Sequence, residues 1–153
     1  MQGRQVTLLL VEDDEIDAET VLRGLAAARL VNPVVRARDG VEALEFLRGT
    51  NGREKIRSPF VLLVDIRMPR LDGLGLVRRI RSDQALQRTV IFMLTSSDSD
   101  DDRAAAYDEH VAGYIVKSGS KEQFLALANM LEYYLLIVSP PPPGSQSLPT
   151  GPG

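Results

Sequence analysis

Residues 60–73 have the sequence Phe-Val-Leu-Leu-Val-Asp-Ile-Arg-Met-Pro-Arg-Leu-Asp-Gly, which contains the clearest structural signal in the chain. Its first five residues are continuously apolar, which is typical of a short strand covered on both faces. The apolar run stops at Asp65, and a loop with Pro69 and Gly73 leads into a segment with helical periodicity. We therefore predict a buried strand, a loop that begins with an acidic residue, and then a helix.

The same pattern of apolar run, loop and helix recurs on both sides of this stretch. We predict the other strands at 6–11, 34–37, 90–94 and 113–116, each followed by a helical segment. The last helix is predicted from about Ser120 to about Val138. Five strands that alternate with five helices predict an α/β fold: a doubly wound, five-stranded parallel sheet with helices on both faces.

The chain of 153 residues is long enough for one domain with a substantial core. We expect that domain to occupy residues 1–138. Residues 139–153 are rich in proline and glycine and poor in apolar residues, so we expect a disordered tail.

Composition excludes several kinds of chemistry. The chain has no cysteine and a single histidine, His110, so disulfides, thiolate metal sites and multi-histidine metal sites are not available. A formal net charge of −3 gives no electrostatic reason to bind nucleic acid or an anionic membrane. No apolar run approaches the ~20 residues that span a bilayer, and no signal peptide is evident. We expect a cytoplasmic protein.

Four of the five predicted strands end in polar residues whose side chains could take part in catalysis or metal binding. They are Glu12 with Asp13, then Asp65, Thr95 and Lys117. In an open parallel sheet, ligands bind beyond the carboxyl ends of the strands, so these residues should share one pocket. The general polarity of loops explains any one of these positions, but it does not explain a suitable residue type at all four.

The predicted pocket suits a cation and phosphoryl chemistry. Three carboxylates about 6 Å apart repel by roughly 3 kcal/mol per pair at an effective dielectric constant near 20. A bound cation would offset that repulsion, and oxygen ligands favour Mg²⁺ over zinc. Asp65 can attack phosphorus as a carboxylate nucleophile. Lys117 and Mg²⁺ would neutralise the phosphoryl oxygens, and the hydroxyl of Thr95 would donate to one of them.

These motifs carry a family resemblance. Over about residues 5–138 the chain resembles the receiver domains of bacterial two-component response regulators, of which the chemotaxis regulator is one kind. The resemblance lies in Leu-Leu-Val-Glu-Asp-Asp-Glu (9–15), in Leu-Leu-Val-Asp-Ile-Arg-Met-Pro-Arg-Leu-Asp-Gly (62–73), in Leu-Thr-Ser (94–96) and in Tyr-Ile-Val-Lys (114–117).

The resemblance implies a role for each of these positions. Asp65 would be the phosphoacceptor and a metal ligand, with a partner histidine kinase as the phosphoryl donor. Glu12, Asp13 and the backbone carbonyl of Arg67 would complete the protein ligands of Mg²⁺. Thr95 and Tyr114 would form the switch pair that reports phosphorylation to the surface.

Within this family the chain is most similar to the single-domain regulators of bacterial phytochromes. The basic loop before the third strand and Glu132-Tyr133-Tyr134-Leu135 in the last helix carry that similarity. It implies a phytochrome kinase as partner and two-fold pairing through the face formed by the fourth helix, the fifth strand and the last helix. The composition of that helix also favours a homodimer, because too many of its residues are apolar for one face. They are Phe124, Leu125, Leu127, Ala128, Met130, Leu131, Tyr133, Tyr134, Leu135, Leu136, Ile137 and Val138.

Two other functions stay open. A phosphatase of the haloacid dehalogenase kind also forms an aspartyl phosphate, but it places a second Asp where this chain has Arg67. A phosphorylation-independent binding module would not need the acceptor, acidic pair, hydroxyl and lysine. We expect a signalling domain rather than an enzyme, with at most self-phosphorylation and autodephosphorylation.

Several features depart from the family or suggest other roles. Ser118 stands where the family usually has a cis proline, and we predict a trans Lys117–Ser118 bond because cis costs about 2.5–4 kcal/mol without proline. Asp98, Asp100, Asp102 and Glu109 have calcium-loop spacing, but Arg103 occupies the position that needs glycine. We interpret these acids as favouring a helix N-terminus, His110 as a surface residue, and Arg78, Arg79 and Arg81 as a solvated helix face.

Overall fold

A computed structural model describes residues 6–27, 29, 32–117 and 121–137. Strands and helices alternate in the order that the sequence predicts. The elements are β1 (Thr7–Val11), α1 (Glu15–Ala27), β2 (Val34–Ala37), α2 (Gly40–Arg48), β3 (Phe60–Val64), α3 (Gly73–Ser82), β4 (Val90–Thr95), α4 (Asp100–Asp108), β5 (Gly113–Val116) and α5 (Lys121–Ile137).

The five strands form one parallel sheet in the order β2-β1-β3-β4-β5. β3 lies at the centre, and its registers with β1 and β4 pair Val64 with Val11 on one side and with Met93 on the other. The chain order reverses direction between β1 and β3, which is where doubly wound sheets bind ligands. The predicted fold class is confirmed.

Each face of the sheet has its own core, because successive side chains of a buried strand point to opposite faces. One core packs the sheet against α2, α3 and α4, and the other packs it against α1 and α5. In β3, Leu62 and Val64 belong to the first core, and Val61 and Leu63 to the second. All four are fully buried, which explains why this strand reads as a continuous apolar run.

The helix ends follow local capping chemistry. Asp39 caps α2 by accepting a hydrogen bond from the backbone N–H of Glu42, and Ser99 caps α4 by accepting from that of Asp102. α4 therefore starts at Asp100, among the acids that favour a helix N-terminus. His110 follows α4 and is exposed, as predicted.

Arg81 corrects the prediction of a solvated arginine face on α3. Its guanidinium is half-buried and donates hydrogen bonds to the carbonyls of Gln87, Thr89, Glu109 and His110 at 2.7–3.0 Å. Those carbonyls lie in the loops before β4 and after α4, so Arg81 joins three segments of the chain. Arg78 and Arg79 are exposed, as predicted.

Two predictions concern residues that the structure does not describe. The Lys117–Ser118 bond and the tail at 139–153 both lie outside the described ranges. Within those ranges, no helix has the length and apolar composition to cross a membrane.

Candidate functional site

The sheet brings the four predicted strand ends to one edge. The backbone ladder continues just beyond the strands: Asp65 donates its N–H to Val11 at 3.0 Å, and Lys117 donates to Thr95 at 2.8 Å. Glu12 likewise donates its N–H to Ala37 at 3.0 Å. The pocket residues are therefore fixed by the sheet rather than carried by free loops.

Three carboxylates meet in this pocket. Glu12, Asp13 and Asp65 each offer an oxygen, and these oxygens lie within 4.8 Å of one another. Glu12 and Asp65 are 2% and 6% exposed, whereas Asp13 is exposed at the pocket rim. At this separation two ionised carboxylates repel by at least about 3.5 kcal/mol at an effective dielectric constant of 20.

One oxygen of the central carboxylate has no partner. Asp65 Oδ1 is buried and accepts no hydrogen bond from the described part of the chain. A buried acceptor left unpaired costs about 1–3 kcal/mol. The orphaned oxygen and the three converging carboxylates fit a hard divalent cation, since such ions prefer oxygen ligands.

Lys117 supplies the positive charge of the pocket. Its ammonium lies 2.9 Å from Glu12 Oε1, 2.9 Å from Asp17 Oδ2 and 3.9 Å from Asp65 Oδ2. Only 7% of the lysine side chain is exposed. Burial alone would lower the pKa of Lys117, but its hydrogen bonds to Glu12 and Asp17 outweigh burial and raise that pKa.

The pKa of Glu12 is raised to about 7, chiefly because burial penalises its charged form. The hydrogen bond from Lys117 lowers the pKa, while the nearby charge of Asp65 raises it. Without a cation, Glu12 is therefore close to half protonated at neutral pH. The repulsion between carboxylates that the sequence predicts contributes to this shift through Asp65, but burial is its larger cause.

The loop after Asp65 turns back tightly on itself. Gly73 donates its backbone N–H to Ile66 at 2.8 Å. A Cβ atom at position 73 would lie 2.1 Å from the carbonyl oxygen of Asp65, so no larger residue fits without a backbone shift. Asp72 then caps α3 by accepting from the N–H of Gly75. Because residue 73 is glycine, the start of α3 can lie directly against the backbone of Asp65.

The side chain of Arg67 points toward α4. Its guanidinium is 3.1 Å from Asp102 Oδ2, and 70% of the arginine side chain is exposed. Asp102 also accepts a hydrogen bond from Ser97 Oγ at 2.5 Å. The loop after β3 is thus tied to the first turn of α4 through one carboxylate.

Thr95 and Tyr114 both contact Ser97. The hydroxyl oxygen of Thr95 accepts from the Ser97 N–H at 3.2 Å, and the Tyr114 hydroxyl donates to the Ser97 carbonyl at 2.9 Å. Thr95 is fully buried, and the guanidinium of Arg103 lies 5.3 Å from the centre of the Tyr114 ring. One short loop therefore connects the buried hydroxyl to the partly exposed tyrosine.

Sequence reasoning missed three residues of this region: Asp17, Ser97 and Asp102. Asp17 lies two residues into α1, a position that helical periodicity marks only as polar. The sequence marks Asp102 only as one acid among several at a helix start. Nothing in the sequence showed that either would meet a residue far along the chain, Lys117 in one case and Arg67 in the other.

Comparison with known proteins agrees with this geometry. The sequence model of the response regulator receiver domain matches residues 8–129. Response regulator Rcp1 of Synechocystis sp. (strain ATCC 27184 / PCC 6803 / Kazusa) is 30% identical over 127 residues, which cover 83% of this chain and 86% of Rcp1.

Solved structures are similar over most of their length. The phosphorylated cyanobacterial phytochrome response regulator RcpA is 31% identical with a TM-score of 0.81, covering 91% of this chain and 100% of RcpA. The Mn²⁺-bound form of Rcp1 is 29% identical with a TM-score of 0.79, covering 90% and 99%. The bacteriophytochrome response regulator RtBRR is 33% identical with a TM-score of 0.71, covering 91% and 86%.

Proposed function

Because the chain belongs to the response regulator receiver domain family, we propose that it receives a phosphoryl group on Asp65 from a partner histidine kinase. The observation that carries the proposal is the nearly buried Asp65 carboxylate, with one unpaired oxygen and an ammonium 3.9 Å away. Such a carboxylate has a free lone pair and a nearby positive charge for an incoming phosphoryl group.

The transfer is a substitution at phosphorus. An oxygen of Asp65 forms the new P–O bond as the P–N bond to the donor histidine breaks, and the electron pair of that bond leaves with the imidazole nitrogen. Negative charge stays on the phosphoryl oxygens. Lys117 neutralises part of it, and the hydroxyl of Thr95 donates to one oxygen at the floor of the pocket.

The carboxylates of Glu12, Asp13 and Asp65 and the backbone carbonyl of Arg67 would hold Mg²⁺. The cation would supply positive charge to the phosphoryl oxygens and offset the repulsion among the carboxylates. The existence of a Mn²⁺-bound form of Rcp1, a similar protein, supports a divalent cation in this chain. Because burial raises the pKa of Glu12, this carboxyl would release a proton when the cation binds.

The output passes through Thr95 and Tyr114. When the Thr95 hydroxyl turns to a phosphoryl oxygen, it gives up its contact with the Ser97 N–H, and the loop that also holds Tyr114 rearranges. That rearrangement changes the surface formed by α4 and β5. The module acts by switching a protein interaction and has no turnover beyond forming and losing its own phosphoryl group.

The partner that the similarity supports is a phytochrome-type sensor kinase. RcpA is a phytochrome response regulator and RtBRR a bacteriophytochrome response regulator. Both are similar to this chain along nearly its whole length, so the proposal extends to the kinase that phosphorylates it. A homodimer through α5 belongs to the same proposal.

Intact mass spectrometry after incubation with acetyl phosphate and Mg²⁺ tests the acceptor. We expect the parent chain and Asp101→Asn, which alters an exposed aspartate on α4, to gain one phosphoryl adduct. Asp65→Asn should gain none, since it lacks the carboxylate nucleophile. A stoichiometric adduct on Asp65→Asn would overturn the proposal. Sustained hydrolysis of unrelated phosphoesters by the parent would instead favour the phosphatase.

A further inference from the structure

The ammonium of Lys117 is shared unequally among three carboxylates. It lies at hydrogen-bond distance from Glu12 and from Asp17, both 2.9 Å, but 3.9 Å from Asp65. An ammonium has three donor hydrogens. Two of them are directed to Glu12 and Asp17. The lysine therefore attracts Asp65 electrostatically but does not donate a hydrogen bond to it.

Asp17 reaches this ammonium from outside the metal-binding cluster. It lies in the first turn of α1, and 48% of its side chain is exposed. Its own backbone N–H donates to Asp14 Oδ1 at 2.9 Å, which fixes the start of the helix. The carboxylate of Asp17 therefore approaches Lys117 from a fixed, half-exposed point at the start of α1.

We propose that Asp17 is a positioning residue for phosphoryl transfer, which draws the Lys117 ammonium away from Asp65 and keeps both acceptor oxygens open. This inference rests on the proposed function. The acceptor must offer one oxygen to phosphorus and another to a cation. A lysine that closed the 3.9 Å gap would occupy one of them with a hydrogen bond.

Asp17 matters most when Glu12 binds a cation. A carboxylate that coordinates a cation is a weaker acceptor for an ammonium, because the two positive charges compete for the same oxygens. Asp17 then becomes the main anchor of Lys117. Without Asp17 the lysine would turn to Asp65, where it would compete both with the cation and with the incoming phosphorus.

Three variants of this chain distinguish the proposed role of Asp17 from a general effect of negative charge and from a loss of stability. Asp17→Asn keeps the shape of the side chain and removes its charge, and Asp17→Glu keeps the charge. Glu19→Gln removes the same charge from the same helix, but Glu19 pairs with Arg23 rather than with Lys117. Urea unfolding of each variant identifies any loss of folded protein.

The readouts are the phosphorylation rate with acetyl phosphate at saturating Mg²⁺ and the affinity for Mg²⁺ alone by titration calorimetry. Asp17→Asn should slow phosphorylation at least fivefold and weaken Mg²⁺ binding at least threefold. Asp17→Glu should recover most of both, and Glu19→Gln should stay within twofold of the parent. A parental rate and affinity in Asp17→Asn, or equal losses in Glu19→Gln, would overturn the inference.

The same experiments distinguish this inference from the proposed function. If Asp65→Asn still forms the adduct, the acceptor assignment fails, and the role of Asp17 fails with it. If Asp65→Asn forms no adduct while Asp17→Asn is phosphorylated as fast as the parent, only the role of Asp17 is wrong.

Discussion

Among single residues, Arg67 is the one that we expect to affect the lifetime of the proposed phosphorylated state. Its guanidinium contacts Asp102 on α4 and is largely exposed, so it is free to exchange that carboxylate for a phosphoryl oxygen or to shield the bond from water. We predict that Arg67→Ala changes the autodephosphorylation rate more than twofold, which corresponds to about 0.4 kcal/mol in the barrier.

The measurement is the decay of the adduct after the phosphoryl donor is removed, followed by intact mass. Arg78→Ala serves as control, because Arg78 is also an exposed arginine and lies on α3, where its ion-pair partner is Glu109 at 4.0 Å. If Arg67→Ala and Arg78→Ala decay at the parental rate, Arg67 does not set the lifetime.

Glu12 gives the metal-free protein a defined pH dependence. Its pKa is about 7 in the folded chain against an ordinary value of 4.5, so the folded state holds the proton more tightly than the unfolded state. The resulting stabilisation is complete below pH 4.5 and is lost as pH rises through 7.

We predict that the free energy of unfolding in EDTA falls between pH 5 and pH 7, by up to about 1.4 kcal/mol per pH unit. Urea unfolding at several pH values measures it. Glu12→Gln mimics the protonated form and should remove this fall, and Mg²⁺ should reduce it in the parent. An equally steep fall in Glu12→Gln would assign the dependence to another group.

The site residues that lie at strand ends could be predicted from the sequence. Glu12, Asp65, Thr95 and Lys117 came together because parallel strands share a carboxyl edge. Asp17 and Asp102 were not predictable, since a polar residue on a helix carries no signal of its partner across the pocket. The metal, the roles of individual ligands and the switch pair remain predictions.

At the scale of elements, α5 is held by a few large side chains. Leu131 is fully buried in the core between the sheet and the pair α1 and α5, whereas Leu125 is 37% exposed. Truncating a buried leucine removes its transfer free energy and leaves a cavity. We predict that Leu131→Ala destabilises the chain by about 2–5 kcal/mol.

Urea unfolding of the metal-free chain measures this difference. Leu125→Ala is the matched control on the same helix and should lose less than about 1 kcal/mol, because its side chain is partly solvated already. Equal losses in the two variants would mean that α5 does not dock on the sheet as described.

The elements themselves were largely predictable, because β1, β3 and β4 are buried apolar runs and each helix has a capping or periodic signal. β2 and β5 are short strands that are only partly buried. The main error was Arg81. Charge alone suggests a solvated face for α3, but the long side chain of Arg81 reaches four carbonyls in neighbouring loops. Local sequence does not show which carbonyls the fold leaves within reach.

At the scale of the whole molecule, the open question is association through α5. Leu127 and Leu131 are buried, and Tyr134 packs edge-to-face on Phe92 with ring centres 5.3 Å apart. Met130 and Tyr133 are 36% and 61% exposed. The side chains of Phe124, Ala128 and residues 135–138 are outside the described set. The homodimer therefore stays a prediction, with Met130 and Tyr133 as its exposed apolar contacts.

We predict a dimeric mass for the parent by light scattering at micromolar concentration, and a monomeric mass for Tyr133→Asp, because a charge there would be buried in the interface. Ile16→Asp is the control, since Ile16 is 76% exposed on α1. It should leave the parental mass unchanged. A monomeric parent would contradict the prediction directly.

The pocket is built from residues that lie far apart in the sequence and are therefore synthesised at different times. Lys117 and Glu12 touch although 105 residues separate them in the chain. During translation, the acidic cluster and the acceptor are therefore made long before the lysine that completes the pocket. Under the proposed function, a chain that stops short of β5 would carry Asp65 without the ammonium of Lys117. Such a fragment should therefore not take up the phosphoryl group.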